Sequence, residues 1–388
     1  MNKISQDPPF TATFKNFKAS LSVASPGRIN LIGEHTDYNL GFVLPTAIDK
    51  KIYLEFSENH SDTCNIYSRN LEELLQFDLR DLKVSETSWH NYILGVVSEI
   101  GKLGKNVKGF NCILNSEVPF GAGVSSSAAL ECGLAIGLNE LFDLGLSKDE
   151  IVELSMRAEH NFVGTKCGIM DQFASVMSRK DSLIFLDCKN LEADFIPADF
   201  KDCKILLLNT MVSHQLAESE YNTRRKQCEE VVKTVQKNYP EVTSLRDVSL
   251  SQLQEFSSEL SEVLLRRASY VIEENIRVEK AVEAMKAGDL TEFGKLMYQS
   301  HAGLSSKYEV SCPELDFLVD FSKDHPYVYG SRMMGGGFGG CTINVIEECK
   351  IEQYVSEVSK TYFDRFGIDL KAYSVLPSEG TTVTKNNL

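Results

Sequence analysis

The stretch VPFGAGVSSSAAL, Val118 to Leu130, decides how the rest of this chain is read. Two glycines and three consecutive serines stand between a strand-like run and a helical one. Gly121 and Gly123 let the backbone approach a ligand and adopt conformations closed to other residues. A helix starting at about Ser126 points free N–H groups at whatever lies in front of it, and the serine hydroxyls add donors. The loop has no lysine, so it is not the G-x-x-x-x-G-K-[ST] phosphate loop, in which lysine supplies the positive charge. Two readings stand at this point: a helix start that holds phosphate, or serines that simply cap a helix.

Outward from the loop, VKGFNCILNSEV reads as the strand that feeds it. SSAALECGLAIGLNELF has helical length and many small residues, with Leu130, Leu134, Leu138 and Leu141 at steps of three and four, so a tightly packed core helix is expected. Ser147 with Glu150 forms a capping box, starting a second helix that runs through Ile151, Leu154 and Ala158 to Glu159. Residues 20–57 read as a strand, a polar loop and two more strand-like runs. DSLIFLDC, ADFIPADF and CKILLLNT read as strands up to about residue 209. From Ser219 to about Met297 helical patterns dominate, followed by a glycine-rich loop and the strand CTINVIEE. The shift from mixed to helical segments places a boundary near 195–205, giving units 1–200 and 201–388, with the final strand free to return to the first. Strands and helices interleave without regular βαβ punctuation, so the class is α+β rather than a doubly wound sheet.

Composition limits the function. The 388 residues are 43% hydrophobic and 24% charged, as in a globular protein able to bury a sizeable core. The formal charge is −15, and no long basic run occurs, which disfavours a nucleic-acid partner. Ten cysteines are scattered without a CxxC pair or zinc-ligand spacing, as suits thiols in a reducing cytosol. The N-terminal MNKISQDPPFTATFKNF lacks an apolar leader core, and no apolar run is long enough for a bilayer. A cytoplasmic protein without a membrane partner is expected.

Two further motifs carry chemistry. SPGRINLIGEHTDYN, Ser25 to Asn39, crowds Arg28, Glu34, His35 and Asp37 into a short loop between strands. GSRMMGGGFGGCTINVI, Gly330 to Ile346, places five glycines in six positions before a strand. Together with AEHNFVGTKCGIMDQFAS, HQLAESEYNTRR and KYEVSCPELDFLV, these stretches resemble the galactokinases, within the superfamily that includes homoserine, mevalonate and phosphomevalonate kinases. The GRINLIGEHTDYN stretch is the galactokinase-specific part, whereas the glycine-serine loop and the late glycine run belong to the superfamily. The resemblance runs from Arg28 past Cys341. It implies a two-domain fold of mixed sheets and helices with its active site in the cleft between them.

The resemblance also implies roles. Asp171 would be the general base facing the anomeric hydroxyl of galactose, because a sugar hydroxyl is a poor nucleophile until its proton is taken. Arg28 would lie beside that base and the transferring phosphoryl group of ATP, supplying the charge the loop lacks. Ser127 and Glu159 match the family's Mg²⁺ ligands, oxygen donors of the type this ion takes. Sugar recognition would fall to Glu34, His35, Thr36, Asp37, Gly168, Asp171 and Tyr221. The nucleotide would lie on Gly121, Ala122, Gly123, Val124, Ser125, Ser126 and Ser127, with Ser68 and Trp89 toward the adenine. Taken without the motifs, Asp171 reads as a helix N-terminal aspartate, Glu159 as a solvated carboxylate, and Tyr221 and Trp89 as core aromatics. The late glycines would let backbone pack close to the phosphate loop.

The chain departs from the family pattern at Phe120, Val124, Ser269, Tyr270, Ser306, Lys307 and Met334, none of them a proposed reacting group. A kinase for N-acetylgalactosamine or arabinose stays open as an alternative, as does a non-catalytic galactose and ATP sensor. The intact SSSAA and the presence of Asp171 speak against the sensor. A monomer or weak homodimer is expected.

Overall fold

The structure is a computed structural model that describes Phe14 and residues 17–213 and 217–386. The predicted leader-free N-terminal stretch is thus mostly outside the described residues, as are His214 to Leu216 of the HQLAESEYNTRR block. The elements relevant to the site are strands β1 (Leu21–Asn30), β2 (Phe42–Val43), β3 (Pro45–Glu58), β4 (Thr63–Ser68), β5 (Glu73–Asp78), β6 (Phe110–Ser116), β7 (Ser182–Asp187), β8 (Glu192–Pro197), β9 (Cys203–Ser213), β10 (Val328–Met333), β11 (Gly339–Glu347), β12 (Lys371–Val375), β13 (Pro377–Ser378) and β14 (Thr382–Lys385). The helices are α1 (Ser88–Lys102), α2 (Ser126–Phe142), α3 (Lys148–Ala158), α4 (Met170–Met177), α5 (Ala217–Val235), α6 (Leu250–Glu255), α7 (Glu262–Lys286), α8 (Leu290–Gly303), α9 (Pro313–Lys323) and α10 (Ile351–Phe366).

Three sheets organise the strands. The largest runs in the order β14-β1-β3-β6-β4-β5, with β13 also paired to β3; a four-stranded sheet runs β10-β11-β9-β12, and a small one β2-β7-β8. Among the described residues every pairing is antiparallel except β4 with β6. The α+β class read from the sequence therefore holds, and no βαβ array dominates.

Helix α2 starts at Ser126, where the sequence places it, and residues Ala128 to Leu138 are buried without a break. A helix buried all round belongs inside the core. Its glycines bring it close to the large sheet: a Cβ on Gly133 would fall 2.8 Å from both Leu54 Cδ1 and Ser25 Cβ, and one on Gly137 would strike the Phe56 ring. An alanine at either position would overpack the layer, at about 1–3 kcal/mol. Helix α3 begins with the predicted capping box, both halves of which form: Ser147 Oγ accepts the Glu150 N–H, and Glu150 Oε2 accepts the Ser147 N–H. It ends one residue before the expected Glu159, which instead opens a turn of π-helix, Glu159–Val163.

The main core runs through both halves of the chain, from Leu21 and Val23 on β1 to Ile343 and Val345 on β11. The C-terminal residues close the large sheet: β14 pairs with β1 and β13 with β3. They also bind α4. Thr381 N–H donates to Ser175 O at 2.8 Å, Gly380 N–H to Ser178 O at 2.8 Å, and Ser25 Oγ meets Thr381 Oγ1 at 2.9 Å. Ser175 Oγ in turn donates to Pro26 O at 2.9 Å, so β1, α4 and the C-terminal strand form one hydrogen-bonded corner.

Candidate active site

That corner carries a buried ion pair. Arg28 follows a register shift in β1 between Pro26 and Arg28, and Asp171 stands in the first turn of α4. Arg28 Nε donates to Asp171 Oδ1 at 2.7 Å and Nη2 to Oδ2 at 2.8 Å, while Nη1 donates to Gly123 O at 2.6 Å. A bidentate pair fixes both partners in one plane. Burial pulls the Arg28 guanidinium down, but Asp171 outweighs it and holds the group above its usual range. Ser125, in a left-handed conformation at φ 52°, also donates its hydroxyl to Asp171 Oδ2.

The glycine-serine loop and the late glycine run meet backbone to backbone. A Cβ on Gly123 would lie 3.1 Å from Met334 O, and one on Gly335 would lie 3.3 Å from Gly123 O. Both glycines have positive φ, 72° and 84°, where other residues are strained. These loops wall a cavity of about 390 Å³ lined by Arg28, Asp171, Gly121 to Ser127 and Glu159. Glu34, His35, Asp37 and Tyr221 line it as well. The N-terminus of α2 opens here with no side-chain cap, leaving its N–H groups for an anion.

Glu159 is 8% exposed, and its Oε2 accepts from Gln172 Nε2 at 3.0 Å and from the Cys167 thiol at 3.5 Å. Burial, with Asp171 nearby, pushes its carboxyl up to about 7. Burial followed by Asp171 likewise raises Asp37 to about 7. Gln172 Nε2 also reaches the fully buried Glu131 Oε2 at 3.3 Å, and burial keeps that carboxyl well above the carboxylate range. Burial thus raises Asp37 and Glu159 in the lining and Glu131 behind Gln172, and perturbed carboxyls of this kind cluster at sites that move protons or bind cations.

Glu34 Oε1 accepts from Arg332 Nη2 at 3.0 Å and from Gly335 N–H at 2.9 Å. His35 is buried in a left-handed conformation with φ 63°. Burial, then the nearby Arg224 charge, lowers it to about 3, so the ring is neutral. Its Nδ1 lies 2.8 Å from the Tyr38 hydroxyl.

The other expected residues fall into three groups. Thr36 does not face the cavity; its hydroxyl donates to Gly33 O and Phe42 O and holds the loop's turn. Gly168 lies behind Asp37, where a Cβ would strike the carboxylate. Ser68 and Trp89 form a cluster of their own outside the lining: Trp89 Nε1 donates to Glu73 Oε2 at 2.7 Å, and Glu73 is paired across β5 with Ser68 on β4. The Ser68 hydroxyl accepts the Leu71 N–H. Tyr92, one turn after Trp89 on α1, does line the cavity.

Sequence reasoning missed Tyr92, Cys167, Gln172 and Arg332. For Tyr92 the helical spacing from Trp89 was an available signal, and Cys167 and Gln172 lie inside the CGIMDQ run. Nothing local marks Arg332, because its partner is 298 residues away.

Comparison with known proteins gives the family. The GHMP kinases N terminal domain matches residues 91–179, the galactokinase galactose-binding signature residues 9–58, and the GHMP kinases C terminal domain residues 281–363. Galactokinase of Thermosipho africanus is 44% identical over 94% of this chain and 100% of its own length. That of Thermotoga maritima is 41% identical over 93% and 99%. The crystal structure of Lactococcus lactis galactokinase complexed with galactose superposes with a TM-score of 0.92 at 33% identity, over 96% of this chain and 97% of that one. Methanococcus jannaschii mevalonate kinase, at 20% identity and a TM-score of 0.63 over 94% and 100%, shares the fold. With a galactokinase-specific signature at one end, GHMP domains beyond it and relatives matched over nearly their full length, the chain belongs to the galactokinases, phosphotransferases of the GHMP kinase family.

Proposed function

We propose that the protein transfers the γ-phosphoryl group of ATP to the anomeric hydroxyl of D-galactose, giving galactose 1-phosphate and ADP, with Asp171 as base and Arg28 as its partner. The observation that carries this reading is the bidentate Arg28–Asp171 pair, buried beside an uncapped helix start in a cavity that Glu34, His35, Asp37 and Tyr221 also line.

Chemistry follows from placement. The sugar lies against the polar wall, where carboxylates accept its hydroxyl hydrogens and Gly168 keeps Asp37 in place. Asp171 takes the proton of the attacking hydroxyl on a lone pair left over from its bonds to Arg28 and Ser125. The sugar oxygen forms its bond to the γ-phosphorus as the bond from that phosphorus to the β–γ bridging oxygen breaks, and ADP carries the electron pair away. Loop amides and the α2 N-terminus hold the phosphates, and Arg28 stabilises the charge spread over the transferring group. Adenine is assigned to the Tyr92 side, with the Trp89 and Ser68 cluster beyond it.

Mg²⁺ is assigned to Ser127 and Glu159. The donor set fits: a hydroxyl and a carboxylate line the same cavity, and Gln172 and Cys167 fix the carboxylate's orientation through Oε2. When bound, the ion would neutralise phosphate charge. We also assign the protein to the cytoplasm, a reading supported by ten free cysteines, of which only Cys349 is exposed. Among the described residues no helix is long and apolar enough to cross a membrane.

ADP release across a panel of sugars, for wild type and Asp171→Ala, tests the proposal. Turnover on galactose that the substitution abolishes is expected. No turnover on galactose by the wild type overturns the reaction, and equal turnover by the variant removes Asp171 from its role.

A further inference from the structure

The His35 ring does not stand alone behind the cavity. Its Nδ1 lies 2.8 Å from Tyr38 Oη, which lies 2.7 Å from Tyr308 Oη, which lies 3.3 Å from Cys228 Sγ. The chain starts in the loop after β1, passes to the π-helical turn Leu304–Tyr308 after α8, and ends on α5. Tyr308 and Cys228 are buried at 0% and 2% exposure. Arg224 clamps the tyrosine's backbone, donating through Nε to Tyr308 O at 2.9 Å and through Nη2 to Glu309 O at 2.7 Å. The His35 ring also packs on Tyr308 at 4.8 Å between centroids and on Tyr221 at 5.4 Å. At its other end, Nε2 is buried without a well-formed hydrogen bond, with the Gly336 backbone within reach of the ring.

A neutral imidazole carries one hydrogen, and the hydrogen bond at one nitrogen decides which nitrogen has it. A phenol is a better donor than an imidazole N–H, and a bare imidazole nitrogen is a better acceptor than a phenol oxygen. The favoured direction therefore runs toward the histidine: the Cys228 thiol donates to Tyr308, Tyr308 to Tyr38, and Tyr38 to Nδ1. Burial pushes the Cys228 thiol up to about 11, so it keeps the hydrogen that the first step uses.

We propose that Tyr38 and Tyr308 form a relay that fixes the tautomer of His35, placing its hydrogen on the buried Nε2 and so setting the polarity of the ring beside the cavity. This rests on reading the wall as the sugar site, and it adds residues from the C-terminal half to sugar selection without any contact of their own. Tyr38 and Tyr308 are positioning residues, because they act through His35.

The tautomer is directly observable. Long-range proton–nitrogen correlation on the full chain labelled with ¹⁵N-histidine, with the His35 signals assigned by their loss in His35→Gln, reads both ring nitrogens without substrate. Wild type is expected to show a single form protonated at Nε2. Tyr38→Phe is expected to give a mixture or the Nδ1 form, and Tyr308→Phe a smaller shift the same way. Tyr270→Phe, which keeps a ring of the same cluster and removes only its hydroxyl donated to Glu34 O, leaves the tautomer unchanged. In turnover, Tyr38→Phe raises KM for galactose about five- to tenfold with a smaller change in kcat, as expected for a lost hydrogen bond. A wild-type hydrogen on Nδ1, or a Tyr38→Phe spectrum like the wild type, overturns the relay. Should Tyr38→Phe not fold, the wild-type and Tyr308→Phe spectra decide. An Nε2 form in a protein that does not turn over galactose would sink the sugar-site reading and leave the tautomer assignment standing.

Discussion

Two buried arginine–carboxylate pairs flank the cavity, and they differ in what else the arginine touches. Arg28 pairs with Asp171, and both partners line the cavity. Arg332 pairs with Glu34, but only the glutamate reaches it. Arg332 is 0% exposed and directs its remaining N–H groups to backbone: Nε to Leu31 O at 2.8 Å, Nη1 to Met333 O at 2.7 Å and Nη2 to Asn30 O at 2.5 Å. Pairing alone therefore does not mark a site. What separates the two is whether the guanidinium faces open space or is consumed by the scaffold.

Arg332→Met breaks the scaffold pair and should have the largest effect. It leaves Glu34 and three carbonyls short of donors in a dry environment, a loss of about 3–5 kcal/mol. Urea denaturation measures it, and a variant as stable as wild type would collapse the distinction between the pairs. Arg28→Lys retains the charge but loses the fork that spans Asp171 and Gly123. We expect kcat to fall about 10²- to 10³-fold, with far less change in the unfolding midpoint than Arg332→Met gives.

The third test uses pH. Folding raises the Asp37 carboxyl from 3.8 to about 7. Between those values the folded protein holds a proton that the unfolded chain has released, so stability falls as pH rises across the window. Glu159, raised from 4.5 to about 7, acts in the same sense. Asp37→Asn should flatten part of this slope and stabilise the ligand-free protein above the window, on the order of a few kcal/mol at most. Thermal melts at matched pH values check it; a slope unchanged by the substitution would mean that Arg28 already compensates both walls. The smallest effect belongs to Cys167→Ala. A thiol is a weak donor, so the proposed assignment of Mg²⁺ to Glu159 predicts that the Mg²⁺ concentration at half-maximal rate rises only about two- to threefold, against a larger rise for Gln172→Leu.

The local parts of this site were readable in the sequence. The strand before the glycine-serine loop, the helix from Ser126 and the Ser147–Glu150 capping box follow from residue type and short spacing, and all appear. The π-helical turn at Glu159 was not readable, because the apolar pattern runs smoothly into it and only tertiary packing stops the α-helix. The same holds for Arg332 with Glu34 and Tyr38 with Tyr308, pairs made across hundreds of residues. Family motifs named the residues that face the cavity better than those that hold them. Thr36 and Gly168 sit inside motifs yet act from behind the wall, whereas Gln172 orients Glu159 from a position that pattern alone did not single out.

The corner formed by β1, α4 and the C-terminal strand has a consequence for biosynthesis. Arg28 and Asp171 leave the ribosome well before Gly380, Thr381 and β14. At ordinary elongation rates the open edge of β1 waits roughly 20–70 s for its final neighbour. Throughout that interval an unpaired strand edge is presented to the cell. A nascent chain stalled before residue 377 would contain Arg28 and Asp171 and still lack the strand and the backbone bonds that tie β1 to α4, so that corner closes only after both partners of the ion pair have long been made.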